Sequence, residues 1–311
     1  MRIDRDAFVA PRRERWERLD RLAREAATAE DWSRLASDYR AVCADLAEAR
    51  AEGLPLDVQT YLDDLAGRAH NQLYGQRDGS ARSIWHDIAV GFPREIRAQW
   101  RFFGLSSLLF YGPFFIGVLG AMLDPTFAGI VLPESQLEQM EEMYADSIGR
   151  PFGGDASMAG FYVLNNVGIA FRCFATGVLG GLGSVFFLVY NGLIIGTVFG
   201  YLGSVGLGGN LMEFVSGHSA WELTGVCVSG AAGLRLGWAL VVTEGRTRAG
   251  SLRAAGPALY RLVLGTAVLL LVAAAIEGFW SASPVPRVGK YIFGTVQWFV
   301  VGAWLFLGGR R

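Results

Sequence analysis

The pattern of apolar and polar positions changes sharply near Trp100. Before it, apolar residues recur every three or four positions between charged ones, which predicts amphipathic helices. Three such helices are predicted, over residues 11–27, 31–51 and 56–74, and Gly53 provides a stop signal after the second. We therefore expect a cytoplasmic helical domain over residues 1–79.

The pattern of residues 80–98 predicts an amphipathic helix at the membrane surface. Ile84, Trp85 and Phe92 share one helical face, and large apolar side chains on one face are typical of interfacial helices. Pro93 is expected to set a bend into the segment that follows.

From Phe102 onward the chain is predominantly apolar. Six stretches are long enough to cross a hydrocarbon core of about 30 Å. They cover residues 102–123, 160–180, 184–205, 217–242, 261–280 and 290–308. The predicted fold class is therefore all-α, a polytopic membrane protein with six transmembrane helices in residues 99–311.

Charge in the connections predicts the orientation. Arginines cluster before the first span, between the fourth and fifth, and at the C terminus, whereas the loop over residues 124–158 is acidic. Because positively charged loops stay in the cytoplasm, we expect both termini to be cytoplasmic. The acidic loop is expected outside, with Leu137, Met140 and Tyr144 on one face of a short helix that lies on the bundle.

Composition narrows the classes of protein that fit. The chain has 311 residues, 52% hydrophobic and 18% charged, with a formal net charge of −1, which excludes a nucleic-acid binder with a strong basic field. Cys43, Cys173 and Cys227 are too widely spaced for a zinc motif and are expected to be reduced or buried thiols. The first residues lack an apolar segment, so no cleavable signal peptide is expected. No cofactor is predicted.

Glycines repeat at a spacing of four within the predicted spans. This spacing puts small residues on one stripe, where helix backbones can approach closely in lipid. We expect the second to fourth spans to pack most tightly. The glycine stripe is also compatible with self-association of the protein. The predicted packing residues are Gly192, Gly196, Gly200, Gly233 and Gly237.

Several polar residues fall within the predicted spans, where a charge is costly and calls for a partner or a function. Arg172 is expected near the middle of the bilayer, in an ion pair with Glu222 or Glu277 or alone in a wet cavity. An alternative assigns Asn191 and Gly217 to broken helices of the kind that line transporter sites. The candidate functional cluster is Asn165, Asn166, Arg172, Asn191, His218, Glu222 and Glu277.

His218 and Glu222 are four residues apart and share a helical face. Such a pair can ligate a metal or relay a proton, and hydrolytic catalysis is a further possibility. Alternatively, Ser219 and Glu222 match an S-x-x-E capping box that only satisfies free backbone N–H groups. No nucleophile with its base and orienting group is visible, so no catalytic residue is assigned.

Several segments together resemble the stage II sporulation protein M family. They are FYVLNNVGIAFRCFATGVLGGLGSVFFLVYNGLIIGTVFGYL, with its double asparagine and Asn191-Gly192, GHSAWELTGVCVSGAAGLRLG, and IEGFWSASPVPRVGKY. The second is similar to the H-G-x-x-E-L segment of the family, with Ser219 in place of the usual glycine. The amino-terminal YRAVCADLAEAR and YLDDLAGRAHNQLYG resemble the helical extension of longer family members.

The resemblance implies a role in assembly. Founding members hold and localise other proteins in a complex that remodels peptidoglycan, longer members are often encoded near MoxR-type ATPases and von Willebrand-type proteins, and no enzymatic activity comes with the family. Since the family is bacterial, the leading hypothesis is a six-span scaffold in the bacterial inner membrane that recruits envelope or ATPase-associated protein partners in cell-envelope remodelling. A transporter or channel with a polar intramembrane cavity is the first alternative, and a metal-assisted intramembrane hydrolase using His218 and Glu222 is the second.

Overall fold

The computed structural model describes residues 5–25, 28–74, 81–124, 126–145, 156–281 and 283–310, without the side chains of residues 29 and 156–165. The described part is helical and contains no β-strand. It divides into two compact units, Met1–Ser83 and Ile84–Arg311. The all-α fold class predicted from the sequence is confirmed.

The amino-terminal unit has a core of its own. Its helices are α1 (Arg5–Val9), α2 (Arg13–Glu25), α3 (Ala29–Ala51) and α4 (Leu56–Tyr74). Thr28 caps α3 in a capping box with Asp31, and Gly53, at a φ of +63°, turns the chain after it. The largest buried apolar side chains of this core are Phe8, Trp16, Leu19, Leu35, Leu62 and Leu65.

Asp45 links two helices of this unit at the edge of the core. Its carboxylate is 5% exposed and accepts hydrogen bonds from Arg15 at 2.6 Å and from Trp16 Nε1 at 2.8 Å. Arg12 Nε donates to the same group at 3.2 Å. These bonds attach α2 and the turn before it to α3.

Replacing Asp45 with asparagine is expected to destabilise the amino-terminal unit by about 1–2 kcal/mol, because the charged hydrogen bonds become neutral ones and one acceptor is lost. Hydrogen exchange of the full-length protein should show less protection in α2 and α3 and little change elsewhere. The matched control is Asp63→Asn, since Asp63 pairs with Arg50 on the exposed surface, where an ion pair contributes little. Equal protection in the two variants would contradict the role of Asp45.

Ten α-helices within the described residues lie in the second unit, and an eleventh, α5, crosses its boundary with the first unit; five of the eleven are long and apolar enough to cross a membrane. They are α5 (Ala81–His86), α6 (Phe92–Ala98), α7 (Trp100–Leu123), α8 (Thr126–Val131), α9 (Glu134–Tyr144), α10 (Ala156–Ala175), α11 (Leu182–Ser204), α12 (Gly208–Val215), α13 (Ser219–Val241), α14 (Arg248–Ile276) and α15 (Arg287–Leu307). The five are α7, α11, α13, α14 with its extension to Ser281, and α15. The chain is therefore a multi-pass membrane protein.

Five predicted spans coincide with these helices, although one begins much earlier than predicted. Arg248 and Arg253 were expected in a connection, but they lie in the first turns of α14. The sixth predicted span, 160–180, falls on α10, much of which has no described side chains, so the count of six stays a prediction.

The segment predicted as one amphipathic helix over residues 80–98 is helical from Ala81 to Ala98, with a π-helical turn, Asp87–Gly91, inserted between α5 and α6. Its position at the membrane surface stays a prediction. Phe92 of α6 is fully buried, and its ring fills the space beside Gly265 of α14. Arg97 donates to the carbonyls of Leu305 and Gly308 at the end of α15, at 2.5 and 2.6 Å. Segment α6 is thus part of the helical bundle.

The glycine stripe of α11 packs against α7. A Cβ on Gly192, Gly196 or Gly200 would overlap the backbone carbonyl oxygen of a residue on α7. The stripe therefore joins the first and third predicted spans, whereas the tightest packing was expected among the second to fourth. Gly233 and Gly237 of α13 make similar backbone contacts with α10 and with the turn that follows it.

Candidate functional site

Three ionisable side chains meet where α13 begins and α14 ends. His218 Nε2 lies 3.6 Å from Glu222 Oε2, one helical turn away. Glu277 comes from the end of α14, and one potential ligand atom from each of the three residues lies within 4.8 Å of the other two. His218 and Glu277 are buried, and Glu222 is half-buried. Two helices distant in sequence therefore contribute to one polar cluster.

The capping box predicted at the start of α13 is wrong. His218 occupies the N-cap position, and no side chain caps the helix there. The Ser219 hydroxyl donates instead to the carbonyl of Ser216, at 3.4 Å. The carboxylate of Glu222 faces the His218 ring, so this pair is available for chemistry that a capping box would have excluded.

A π-helical turn at Glu277–Ser281 extends α14 and shapes the cluster. Such turns are rare and frequently occur at functional sites. This one places Ser281 Oγ 3.0 Å from His218 Nδ1, which leaves His218 Nε2 directed at Glu222. Gly217 permits the close approach, because a Cβ there would meet Trp280 Cδ1 at 3.1 Å.

Asn166 adds a contact from α10. Its side chain is 6% exposed, and its Nδ2 donates to Glu277 Oε2 at 3.5 Å, a long hydrogen bond. The cluster is thus bordered by α10, α13 and α14.

A buried ion pair lies beside this cluster. Lys290, the only lysine of the chain, is 1% exposed. Its Nζ donates to Glu213 Oε1 at 3.1 Å and to the carbonyl of Ser281 at 2.9 Å. Arg287 Nε donates to the other oxygen of Glu213 at 2.7 Å. Burial raises the pKa of Glu213, but the hydrogen bonds from Arg287 and Lys290 outweigh it and hold the pKa below its usual value.

Two of the predicted cluster residues lie elsewhere. Asn191 Nδ2 donates to the carbonyl of Phe187 in its own helix, at 2.6 Å. Arg172 is exposed in the last turn of α10, and among the described side chains it forms no ion pair, so its predicted pairing with Glu222 or Glu277 is wrong. The side chain of Asn165 lies outside the described residues. The predicted set therefore does not line one cavity.

Sequence reasoning missed Glu213, Ser281 and the pairing role of Lys290. A lone lysine at the start of an apolar span, as Lys290 is, would have been a signal for a buried partner. Glu213 lies in the short helix α12, where the sequence shows nothing unusual. Ser281 is an ordinary serine, and only the π-helical turn brings it to His218.

Comparison with known families agrees with the division into two units. A family model described as domain of unknown function (DUF8413) matches residues 6–75, within the amino-terminal unit. Searches of curated proteins and of solved structures find no match. The model described as Stage II sporulation protein M matches residues 106–282, more than half of the chain, and includes His218, Glu222 and Glu277. The chain therefore belongs to the stage II sporulation protein M family.

Proposed function

We propose that the protein is an inner-membrane assembly protein that recruits partners in remodelling of the cell envelope. The observation that carries this proposal is the pairing of a separately folded, charged helical unit with a multi-pass membrane unit. The two units match two different family models. An anchored domain with a core of its own is suited to binding other proteins next to a membrane.

The surface of the amino-terminal unit supports this role. It exposes Leu56 at 76% and Tyr74 at 65%, together with Trp32 at 39%. Aromatic residues are enriched at protein interfaces, and these three side chains are not among the buried residues of the core. The arginines that precede α7 and end the chain favour a cytoplasmic position for both termini, so the partners are cytoplasmic or membrane-bound proteins of envelope synthesis, including ATPase-associated ones.

Proximity labelling in native membranes tests the proposal. With the labelling enzyme fused to the amino terminus, we expect enrichment of envelope-remodelling proteins and associated ATPases. A double variant, Leu56→Ser with Tyr74→Ser, is expected to lose most of this enrichment while keeping its fold, because both side chains are exposed.

A matched control replaces Arg13 and Glu17, which form an exposed ion pair, with serine and should keep the enrichment. The proposal is contradicted if wild type and double variant label the same proteins, or if the labelled proteins have no connection with the envelope.

A further inference from the structure

The cluster of His218, Glu222 and Glu277 has the composition of a metal site. We propose that these three side chains bind one divalent transition-metal ion of the Zn²⁺ class at the end of the membrane bundle where α13 begins. This inference does not depend on the scaffold role, and it extends the metal ligation that the sequence left open for His218 and Glu222 by adding a third ligand from another helix.

The distances are close to those of a coordinated ion. A tetrahedral zinc site with bonds of roughly 2.0–2.2 Å separates its ligand atoms by about 3.4 Å. His218 Nε2 and Glu222 Oε2 are 3.6 Å apart, and the atom from Glu277 lies within 4.8 Å of both.

The surroundings orient the histidine ring as a metal site requires. Ser281 Oγ lies 3.0 Å from Nδ1, which leaves Nε2 on the side of the two carboxylates. A hydrogen bond to the other ring nitrogen is the usual support of a metal-bound histidine. Phe214 packs edge-on against the ring, with centroids 5.5 Å apart, and Asn166 holds Glu277 through Nδ2.

Charge also favours a cation at this place. Neither Glu222 nor Glu277 has an arginine or lysine partner among the described side chains. The nearby ammonium group of Lys290 is already bound by Glu213 and the Ser281 carbonyl. Two carboxylates in a water-poor setting are costly unless neutralised, and one dication offsets both.

The ligand set selects among metals. An imidazole nitrogen with two carboxylates suits zinc, cobalt and similar ions, whereas Mg²⁺ prefers an octahedral set of oxygens with several waters. Three protein ligands leave a position open for water, as in zinc sites that are not purely structural. Glu222, with 19% of its side chain exposed, is the most accessible of the three ligands.

Metal binding to the purified full-length protein in detergent tests the proposal. After chelation and gel filtration, the protein is loaded with Zn²⁺ or Co²⁺, and the bound metal per chain is measured by elemental analysis. We expect one ion per chain, absorption bands of four-coordinate Co²⁺, a higher melting temperature with Zn²⁺, and no effect of Mg²⁺. His218→Ala and Glu277→Gln should each lower the affinity at least tenfold.

The matched control is Glu95→Gln, a half-buried glutamate of the same unit that pairs with Arg261 and should bind the metal as wild type does. Glu277→His replaces one metal ligand with another and should retain binding. This variant therefore tests the site even if His218→Ala does not fold. Wild-type protein that binds no Co²⁺ overturns the proposal. Binding that is equal in wild type and Glu277→Gln also overturns it, since the ion then sits elsewhere.

Discussion

Replacing Glu213 with leucine is expected to destabilise the membrane unit by about 3–5 kcal/mol. The reason is that Lys290, 1% exposed, then keeps only the carbonyl of Ser281 as a partner for its charge. Removing one member of a buried ion pair leaves an uncompensated charge and costs about this much. Unfolding of the purified protein in detergent micelles, followed by circular dichroism, measures the change in midpoint.

Two further variants distinguish the ion pair from other effects of the substitution. Glu138→Leu, at an exposed position of α9, should change stability little. The double variant Glu213→Leu with Lys290→Met should regain most of the loss, since replacing both members of a buried pair is often close to neutral. A single variant as stable as wild type would show that Lys290 does not depend on Glu213.

The pH dependence of the same pair has a definite sign. The pKa of Glu213 is lowered in the folded protein, so its stabilising effect is complete above the pKa of an unfolded glutamate, about 4.3. The effect is lost as the pH falls through the lower folded value. The stability difference between wild type and Glu213→Gln should therefore be largest near neutral pH and shrink in acid.

The helices could be predicted from the sequence because their signals are local. A run of apolar residues or an apolar repeat of three and four specifies a helix without knowledge of its neighbours, and five predicted spans coincide with long apolar helices. The proximity of His218 to Glu222 could be predicted in the same way, since residues four apart share a helical face.

Contacts between helices could not be read in this way. The pairing predicted for Arg172 assumed that its helix continues to residue 180, whereas α10 ends at Ala175 and a 3₁₀ turn, Thr176–Val178, follows. Gly180 and Gly181, at φ of +66° and +90°, complete that turn. Arg172 consequently lies at the end of α10 and not at its middle, away from Glu277.

The glycine stripe shows the same limit. Glycines repeated every four residues indicate that the backbone of another helix comes close, but they do not indicate which helix it is. In the structure Gly192, Gly196 and Gly200 lie opposite Phe110, Phe114 and Val118, so each turn of α11 meets the corresponding turn of α7. Only the tertiary arrangement, with α7 next to α11, identifies the partner.

Replacing Gly196 with alanine is therefore expected to destabilise the protein strongly, near the upper end of the roughly 1–3 kcal/mol that overpacking usually costs. The added Cβ would overlap the carbonyl oxygen of Phe114, and backbone on both sides cannot yield as a flexible side chain would. The control is Gly203→Ala on the same helix, where nothing lies within 4 Å of the added Cβ. Because alanine favours a helix over glycine by about 1 kcal/mol, the control should be neutral or slightly stabilising. Thermal unfolding in detergent should thus give a lower midpoint for Gly196→Ala and an unchanged or slightly higher one for Gly203→Ala, and equal shifts would refute the close contact of α7 with α11.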